Sequence, residues 1–130
     1  MSCRIKVYYC DTDCGGVVYY SNYLVYFEKA RTEWMEERGM GVKKLSRQGV
    51  LFIVSRAEVD YKSPARYGDI LQVEAVPLKV GACRIVFKYR ITRIEDEKII
   101  TTGKTDLACI SKDLKPRRIP PDVLEKIKGK

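Results

Sequence analysis

Residues 21–38 read SNYLVYFEKARTEWMEER, and this pattern predicts one long helix. Ser21 and Asn22 are both favourable N-cap residues, and Gly39 follows the last turn as a helix stop. Apolar side chains recur at helical spacing and form one wide stripe: Tyr23, Phe27, Ala30 and Trp34, with Leu24 beside them. A stripe this aromatic needs a large apolar surface to pack on, and a β-sheet is the expected partner.

The segments on both sides of the helix predict strands. Residues 4–10 alternate before it and place Ile5, Val7 and Tyr9 on one face. After the helix, alternating residues predict a long strand whose apolar face is formed by the odd positions, Leu51, Ile53, Ser55, Ala57, Val59 and Tyr61. The first half of the chain is therefore predicted to form a strand, a helix and a second strand, in that order.

The second half of the chain predicts three more strands, at 71–80, 83–92 and 99–110. The alternation slips by one residue beside Pro77, which predicts a bulge or an edge position there. A short final helix is predicted after Pro121. One long helix and a five-stranded antiparallel sheet define an α+β fold, in a single domain spanning residues 1–130. The sheet face away from the helix would remain exposed in a monomer, which favours an oligomer.

Composition narrows the possible chemistry. The 25 Lys and Arg residues outnumber the 17 Asp and Glu residues, and the net charge of +8 favours an anionic partner. The chain has no histidine, which excludes Ser-His-Asp and Cys-His catalysis and His-containing zinc sites. No cofactor and no metal site are expected. The five cysteines have no CxxC spacing and are expected to be small buried hydrophobes in a reducing cytoplasm. No apolar run reaches the length of a membrane span.

The loop DTDCGG, residues 11–16, carries the candidate chemistry because it places a carboxylate just before the helix. A hydrolase for an activated ester needs two groups. One is a carboxylate that either attacks the ester carbonyl or activates a water molecule, and the other is a hydrogen-bond donor for the developing oxyanion. Asp13 supplies the first, and the backbone N–H of Tyr20 or a neighbour at the helix start supplies the second. The structural alternative is that Asp13 forms an Asx turn. Asp11 is expected to shape the loop.

The segment 7–34, VYYCDTDCGGVVYYSNYLVYFEKARTEW, resembles the 4-hydroxybenzoyl-CoA thioesterase family, including its small Tol-Pal-associated members. Two further segments are similar to the family: YKSPARYGD at 61–69 and, more weakly, KPRRIP at 115–120. The resemblance implies a hot-dog fold, in which one long central helix is wrapped by a five-stranded antiparallel sheet. It implies that Asp13 is the catalytic carboxylate of an acyl-CoA thioesterase, with active sites at the interfaces of a dimer or tetramer. Many members carry histidine at the position of Tyr20, so only a backbone role carries over to that residue.

The substrate would be acyl-CoA, with acyl carrier protein as the alternative carrier. Substrate-binding candidates lie in four segments of the chain: Gly16 and Val17, Glu28, Ser63, and the basic face of Arg84, Lys88 and Arg90. The basic face would hold the phosphates of coenzyme A, and its rival is the cluster Lys115, Arg117 and Arg118. For Glu28 the structural alternative is a side chain bonded to the next helical turn.

Other functions remain open at this stage. The net charge would suit a nucleic-acid-binding module, although the basic residues are scattered and no nucleic-acid-binding motif is present. A non-catalytic hot-dog interaction protein is a further alternative. Dehydration of hydroxyacyl thioesters in this fold uses a histidine, which the chain lacks.

Overall fold

The computed structural model describes residues 2–129, which form an α+β domain with a five-stranded antiparallel sheet. In chain order the elements are β1 (Ser2–Lys6), a 3-10 turn (Tyr9–Asp11), α1 (Asn22–Glu37), α2 (Val42–Arg47), β2 (Leu51–Tyr61), β3 (Ile70–Val80), β4 (Arg84–Arg93), β5 (Ile99–Ile110) and α3 (Pro121–Ile127). The strand order is β1-β3-β4-β5-β2, so β1 and β2 are the edges. Within the described residues, no helix is both long and apolar enough to cross a membrane.

The core lies between α1 and one face of the sheet. The predicted stripe of α1 is buried, and Phe27 stacks on Tyr89 of β4 with ring centroids 4.3 Å apart. Two turns further along α1, Trp34 meets Phe87 of β4 edge to face, with ring centroids 5.4 Å apart. Gly39 ends the helix region with a φ of 74°, as the sequence predicts for a helix stop. The backbone of α1 packs mainly over β3 and β1.

Two sequence predictions about elements need correction, and two others are confirmed. The first strand ends at Lys6, and the chain then turns, so Val7 is buried while Tyr9 is 75% exposed. The prediction of a single long helix is incomplete, because α2 follows α1 and was not predicted. The short helix after Pro121 and the strand over residues 99–110 are confirmed.

The two long strands β2 and β3 each contain a register shift. The shift in β3 falls between Pro77 and Lys79, which confirms the predicted bulge. The shift in β2, between Val54 and Arg56, was not predicted and exchanges the faces of the strand. On the N-terminal side of the shift, Val54 pairs with Leu107, whose side chain is buried on the helix side, so the predicted odd face is wrong for residues 51–54. Ile53 lies on the opposite face and is 48% exposed.

The outer face of the sheet carries ion pairs. Arg90 and Glu74 form an ion pair at 2.9 Å, and Arg56 and Glu58 form another at 3.1 Å. Exposed apolar side chains, Ile53 and Val76, lie on the same face, and the oligomer stays a prediction.

The cysteines also differ from expectation. Cys10, Cys14 and Cys83 are exposed, and only Cys109 is fully buried. All five are free thiols, so the reading of five buried hydrophobes is wrong for three of them.

Candidate active site

The candidate site is a tight irregular hairpin that leads into α1. Thr12 pairs with Val18, and the N–H of Asp13 donates to the Val17 carbonyl at 2.9 Å. One pair further out, the N–H of Tyr19 donates to the Asp11 carbonyl, also at 2.9 Å. At the tip, Gly16 has a φ of 80°, a conformation that side chains with a Cβ rarely adopt. The glycine pair therefore permits the hairpin that brings residues 11–13 back alongside the start of α1.

Asp13 forms the Asx turn that the sequence offers as its structural alternative. Its Oδ1 accepts the N–H of Gly15 at 2.8 Å, and its carbonyl accepts the N–H of Gly16 at 3.1 Å. The side chain is exposed. Among the described residues, the second carboxylate oxygen, Oδ2, accepts no hydrogen bond. One oxygen thus holds the turn and the other is available to solvent or to a ligand.

Unpaired backbone donors lie where the hairpin meets the helix. The N–H of Asn22 donates to the Tyr19 carbonyl, and the N–H of Leu24 donates to the Ser21 carbonyl. In the described part of the chain, the N–H groups of Tyr20 and Ser21 donate to no protein acceptor. Because the first N–H groups of a helix have no intrahelical partner, this is a favourable position for binding an anion. The hydroxyl of Tyr61 donates to the Tyr20 carbonyl at 3.1 Å and anchors this residue to β2.

Asp11 organises the base of the hairpin, as expected. Its Oδ2 accepts both the N–H of Tyr8 and the hydroxyl of Tyr26, each at 3.0 Å. Partial burial opposes ionisation, but these hydrogen bonds prevail and hold the pKa of Asp11 below its ordinary value. For Tyr26, whose side chain is fully buried, burial and the neighbouring carboxylate raise the pKa of the phenol. The loop-shaping role of Asp11 was expected from the sequence. The contact from Tyr26 was not, because Tyr26 was not included in the predicted apolar stripe of the helix.

A second loop, residues 62–69, lies against the hairpin. The N–H of Val18 donates to the Ala65 carbonyl at 2.8 Å, and Val17 pairs with Arg66. The buried Tyr23 of α1 accepts the N–H of Ala65 on its hydroxyl at 3.2 Å. Ser63 is half-buried in this loop, and its N–H donates to the Ile100 carbonyl of β5 at 3.1 Å.

Arg93, at the end of β4, supports this second loop and was not identified from the sequence. Its guanidinium donates to Asp69 at 3.0 Å, to Asp96 at 3.1 Å and to the Pro64 carbonyl at 3.3 Å. The side chains of Arg93 and Asp69 are only 14% and 16% exposed. Hydrogen bonds to both carboxylates raise the pKa of Arg93 and lower that of Asp96. A lone arginine in a strand gives no sequence signal for such a role.

Glu28 is held within α1. Its carboxylate accepts a hydrogen bond from the hydroxyl of Thr32, one turn further along the helix. The structural alternative for Glu28, a bond to the next turn, is therefore confirmed. Its side chain is exposed beside a cavity between α1 and α2, rather than in the hairpin.

The basic candidates lie apart from the hairpin. Arg84, Lys88 and Arg90 share the outer face of β4, as predicted, and all three are exposed. Arg90 is paired with Glu74. Arg84 begins β4, whereas the second loop contacts the other end of that strand, about 30 Å away at 3.3 Å per residue. Within one chain, therefore, Arg84 and Asp13 lie at opposite ends of the sheet.

The rival cluster is partly engaged in structure. Arg117 donates to the carbonyls of Gly49, at 3.0 Å, and Gln48, at 3.4 Å, and so joins the C-terminal segment to the end of α2. Lys115 and Arg118 remain exposed. Within residues 2–129, no group of three or more Cys, Asp or Glu side chains comes together that could hold a metal ion.

The five-stranded antiparallel sheet with α1 packed on one face agrees with the hot-dog fold that the sequence resemblance implies. The chain belongs to the thioesterase-like superfamily, whose family model matches residues 7–127. This confirms the resemblance seen in the sequence motifs.

Curated relatives and solved structures agree with this family. The chain is 31% identical over 125 residues to the acyl-CoA thioester hydrolase YbgC of Escherichia coli, covering 95% of this chain and 92% of that protein. It is 34% identical over 121 residues to the acyl-CoA thioesterase YbgC of Haemophilus influenzae, covering 92% and 88%. The DHNA-CoA thioesterase structure from Staphylococcus aureus superposes with a TM-score of 0.92 at 33% identity, covering 98% of this chain and 87% of that one.

Proposed function

We propose that this protein is an acyl-CoA thioesterase that hydrolyses an acyl-CoA to the free acid and coenzyme A. The observation that carries the proposal is the hairpin itself: one carboxylate oxygen of Asp13 accepts no hydrogen bond from the described residues, and the N–H of Tyr20, where the same hairpin runs into α1, donates to none of them. Family membership and the names of the relatives support the same substrate class.

Two routes are open to the Asp13 carboxylate. As general base, it takes a proton from water while the water oxygen adds to the thioester carbonyl, and collapse then expels the CoA thiolate, which takes up the proton. As nucleophile, its oxygen attacks the carbonyl, the thiolate leaves, and water then cleaves the resulting mixed anhydride. In both routes the N–H of Tyr20 donates to the carbonyl oxygen as negative charge develops there. Gly16, Val17 and Ser63 would border the substrate.

For the nucleotide end of coenzyme A, the outer basic face remains our proposed site, with Lys88 and Arg84 its unpaired members. Since Arg84 lies at the far end of the sheet from Asp13, it would serve the active site of a neighbouring copy. Acyl carrier protein is the alternative carrier. If the basic face binds the phosphates, Arg84→Ala and Lys88→Ala raise KM for acyl-CoA with little change in kcat and leave an acyl-pantetheine unaffected.

We also propose that the protein is a dimer or tetramer in which a second copy completes the wrapping of α1. Edge strand β2 is long and exposes both Ile53 and Val54, which is the kind of edge that pairs with another chain. Tyr9, Tyr20 and Tyr67 form further exposed apolar surface around the hairpin. A cytoplasmic location fits the exposed free thiols.

The decisive variant is Asp13→Asn. An asparagine oxygen can still accept the N–H of Gly15, so the Asx turn and the hairpin are retained while the carboxylate is lost. We expect kcat to fall by roughly 10²–10⁴, the usual contribution of a positioned base. Thiol release from a panel of acyl-CoAs measures this, and circular dichroism verifies folding.

The matched control is Asp11→Asn. Its amide oxygen can keep the bonds from Tyr8 and Tyr26, so this variant is expected to be the milder lesion. An Asp13→Asn enzyme within about threefold of wild-type kcat would refute the assignment, because that is less than about 0.7 kcal/mol of barrier. If the protein hydrolyses none of the acyl-CoAs tested and none of the same acyl groups carried on acyl carrier protein, the result would instead favour a non-catalytic interaction protein.

A further inference from the structure

Two of the five free thiols lie opposite each other at one end of the sheet. The register of β4 and β5 ends with Arg84 opposite Ala108. One residue further out, the N–H of Cys109 donates to the Cys83 carbonyl at 2.9 Å. Because successive side chains of a strand point to opposite faces, Cys83 and Cys109 both belong to the inner face of the sheet, whereas Arg84 belongs to the outer face.

The backbone geometry of this pair fits a disulfide bond. Opposite residues that share a hydrogen bond of an antiparallel ladder have Cα atoms about 5.5 Å apart. Disulfides bridge Cα separations of about 4.4–6.8 Å and bring the two Cβ atoms to about 3.8 Å. Since the Cβ atoms of opposite strand residues lie about 4.5–5.5 Å apart, a closure of about 1 Å is required. Cys83 can provide this movement, because it lies in the turn before β4 rather than within the strand.

The two thiols differ in their access to solvent. Cys83 is exposed, whereas Cys109 is only 1% exposed and packs in the core. Burial raises the pKa of the Cys109 thiol, the positive charge of Arg117 opposes this rise, and the neighbouring Cys83 adds to it. A reagent from solution therefore reaches Cys83 first, and Cys109 is the thiol that can react second from inside the protein.

The C-terminal segment passes over the same pair. The N–H of Arg117 donates to the Cys109 carbonyl at 3.1 Å, and the N–H of Ile119 donates to the Ala82 carbonyl at 2.8 Å. These residues belong to the KPRRIP segment, 115–120. The guanidinium of Arg117 also joins this segment to the end of α2. A covalent bond between the two thiols would therefore fasten β4 to β5 at the point where the C-terminal segment is attached.

We propose that Cys83 and Cys109 form a reversible thiol–disulfide site that reacts with low-molecular-weight disulfides. The Cys83 thiolate attacks one sulfur of the small disulfide, forms a mixed disulfide and releases a first small thiolate, which takes up a proton. Cys109 then loses its proton and attacks the sulfur of Cys83, which forms the internal disulfide and expels a second small thiolate, and this thiolate takes up the proton. Two protein thiols are thereby oxidised, and one small disulfide is reduced to two thiols.

This site is separate from the proposed hydrolase function. Cys83 precedes Arg84, at the end of the sheet far from Asp13, so neither chemistry requires the other. An exposed disulfide that needs a small closure of the backbone is of the kind that small thiols reduce again. In a reducing compartment the pair would rest as two thiols and would close only when small disulfides accumulate.

The test incubates the native protein with reduced and oxidised glutathione at varied ratios, and then blocks the remaining thiols with iodoacetamide in denaturant. Trypsin separates the two thiols onto the peptides 80–84 and 105–112, because Lys or Arg ends each of these segments and precedes it. Mass spectrometry without reduction should find these two peptides joined. We expect the equilibrium constant for closure to be at least about tenfold higher in the native protein than in the urea-unfolded chain, because the fold holds the thiols together.

A preference of the folded state for the disulfide must also appear as stability. By linkage, a tenfold ratio of the two closure constants corresponds to about 1.4 kcal/mol in the free energy of unfolding. For a chain of this length this corresponds to a rise in Tm of about 5 °C in the oxidised protein, which thermal melts of the oxidised and reduced forms measure.

Cys83→Ser is the decisive variant, and because this residue is exposed we expect the variant to fold. It should abolish both the joined peptides and the rise in Tm. In Cys109→Ala the reaction should stop at the mixed disulfide of glutathione with Cys83. Cys10→Ser and Cys14→Ser are the matched controls, since each removes an exposed thiol of the hairpin and should leave the joined peptides unchanged.

Three results would overturn the inference. The first is a native protein in which glutathione is attached to Cys83 while Cys109 stays free to react with iodoacetamide. The second is the joined pair of peptides persisting at the wild-type level in the Cys10→Ser and Cys14→Ser variants but forming no more readily in the native protein than in urea. The third is an oxidised protein whose thiols are all blocked by iodoacetamide, so that no disulfide has formed.

Discussion

Gly103 of β5 sets how closely α1 approaches the sheet, and Gly103→Ala should therefore destabilise the fold strongly. A Cβ at this position would lie 2.6 Å from the Glu58 carbonyl oxygen and 2.6 Å from the ring of Phe27. Neither neighbour can move easily, because Glu58 is paired with Lys104 in the sheet and the Phe27 ring stacks on Tyr89. Overpacking of this kind costs up to about 3 kcal/mol. Alanine recovers about 1 kcal/mol relative to glycine through backbone entropy, leaving a net loss of about 2 kcal/mol.

Urea unfolding followed by circular dichroism measures this loss, which corresponds to a fall in Tm of about 7 °C for a chain of this length. The matched control is Gly81→Ala in the turn before β4. There the nearest atom to the added Cβ is the Arg84 carbonyl oxygen at 3.5 Å, an ordinary contact, so we expect no loss of stability and a gain of up to about 1 kcal/mol from backbone entropy. A Gly103→Ala protein as stable as the Gly81→Ala protein would refute the reasoning.

Three further predictions concern the site and its supports. Arg93→Leu leaves the largely buried Asp69 carboxylate unpaired, and we expect it to lower the free energy of unfolding in urea by about 2 kcal/mol. Tyr26→Phe removes a hydrogen bond that lowers the pKa of Asp11. This hydrogen bond contributes to the free energy of unfolding above the ordinary pKa of 3.8, and the contribution is lost as the pH falls below that value. The stability difference from wild type should therefore be greatest at neutral pH and shrink in acid, and a constant difference would contradict this. Under the proposed function, Tyr61→Phe removes the hydrogen bond to the carbonyl of Tyr20, the residue whose N–H is the predicted oxyanion donor. Because Tyr20 is then held less firmly, we expect a thiol-release assay to show kcat lowered severalfold at unchanged KM.

The elements that could be predicted from the sequence are those whose signal is local. The buried stripe of α1 follows from side-chain spacing, and the slip beside Pro77 follows from the exchange of alternation at one residue. The bulge in β2 left no such mark, because Val54 and Ile53 are both apolar and either can serve the helix side. Helix α2 also escaped prediction, since its six residues bury only Leu45 and show no full period of apolar side chains.

In the candidate site too, local features could be predicted from the sequence and contacts between distant segments could not. The loop around Asp13 was predicted because its residues are contiguous and its paired glycines indicate a turn. The pairing of Thr12 with Val18, which makes this loop a hairpin, was not predicted. Arg93 and Tyr61 were not assigned their contacts, because these depend on how strands β4 and β2 end beside the two loops. The cavity at the corner of α1 and α2 was not visible for the same reason, since its wall is assembled from residues between positions 35 and 107.

The structural and catalytic interpretations of Asp13 are compatible, although the sequence presents them as rivals. The Asx turn uses Oδ1, and a catalytic carboxylate needs only one oxygen free to meet water or the thioester. A turn that holds one oxygen fixes the direction of the other, which reduces the freedom lost when substrate binds. The two glycines serve the turn, because Gly16 adopts its positive φ and a Cβ at Gly15 would crowd Asp13 Oδ1 at 3.2 Å. On this argument the turn is the means by which the chain would position its catalytic group, so substitutions that break the Asx turn should reduce kcat even where the carboxylate is retained.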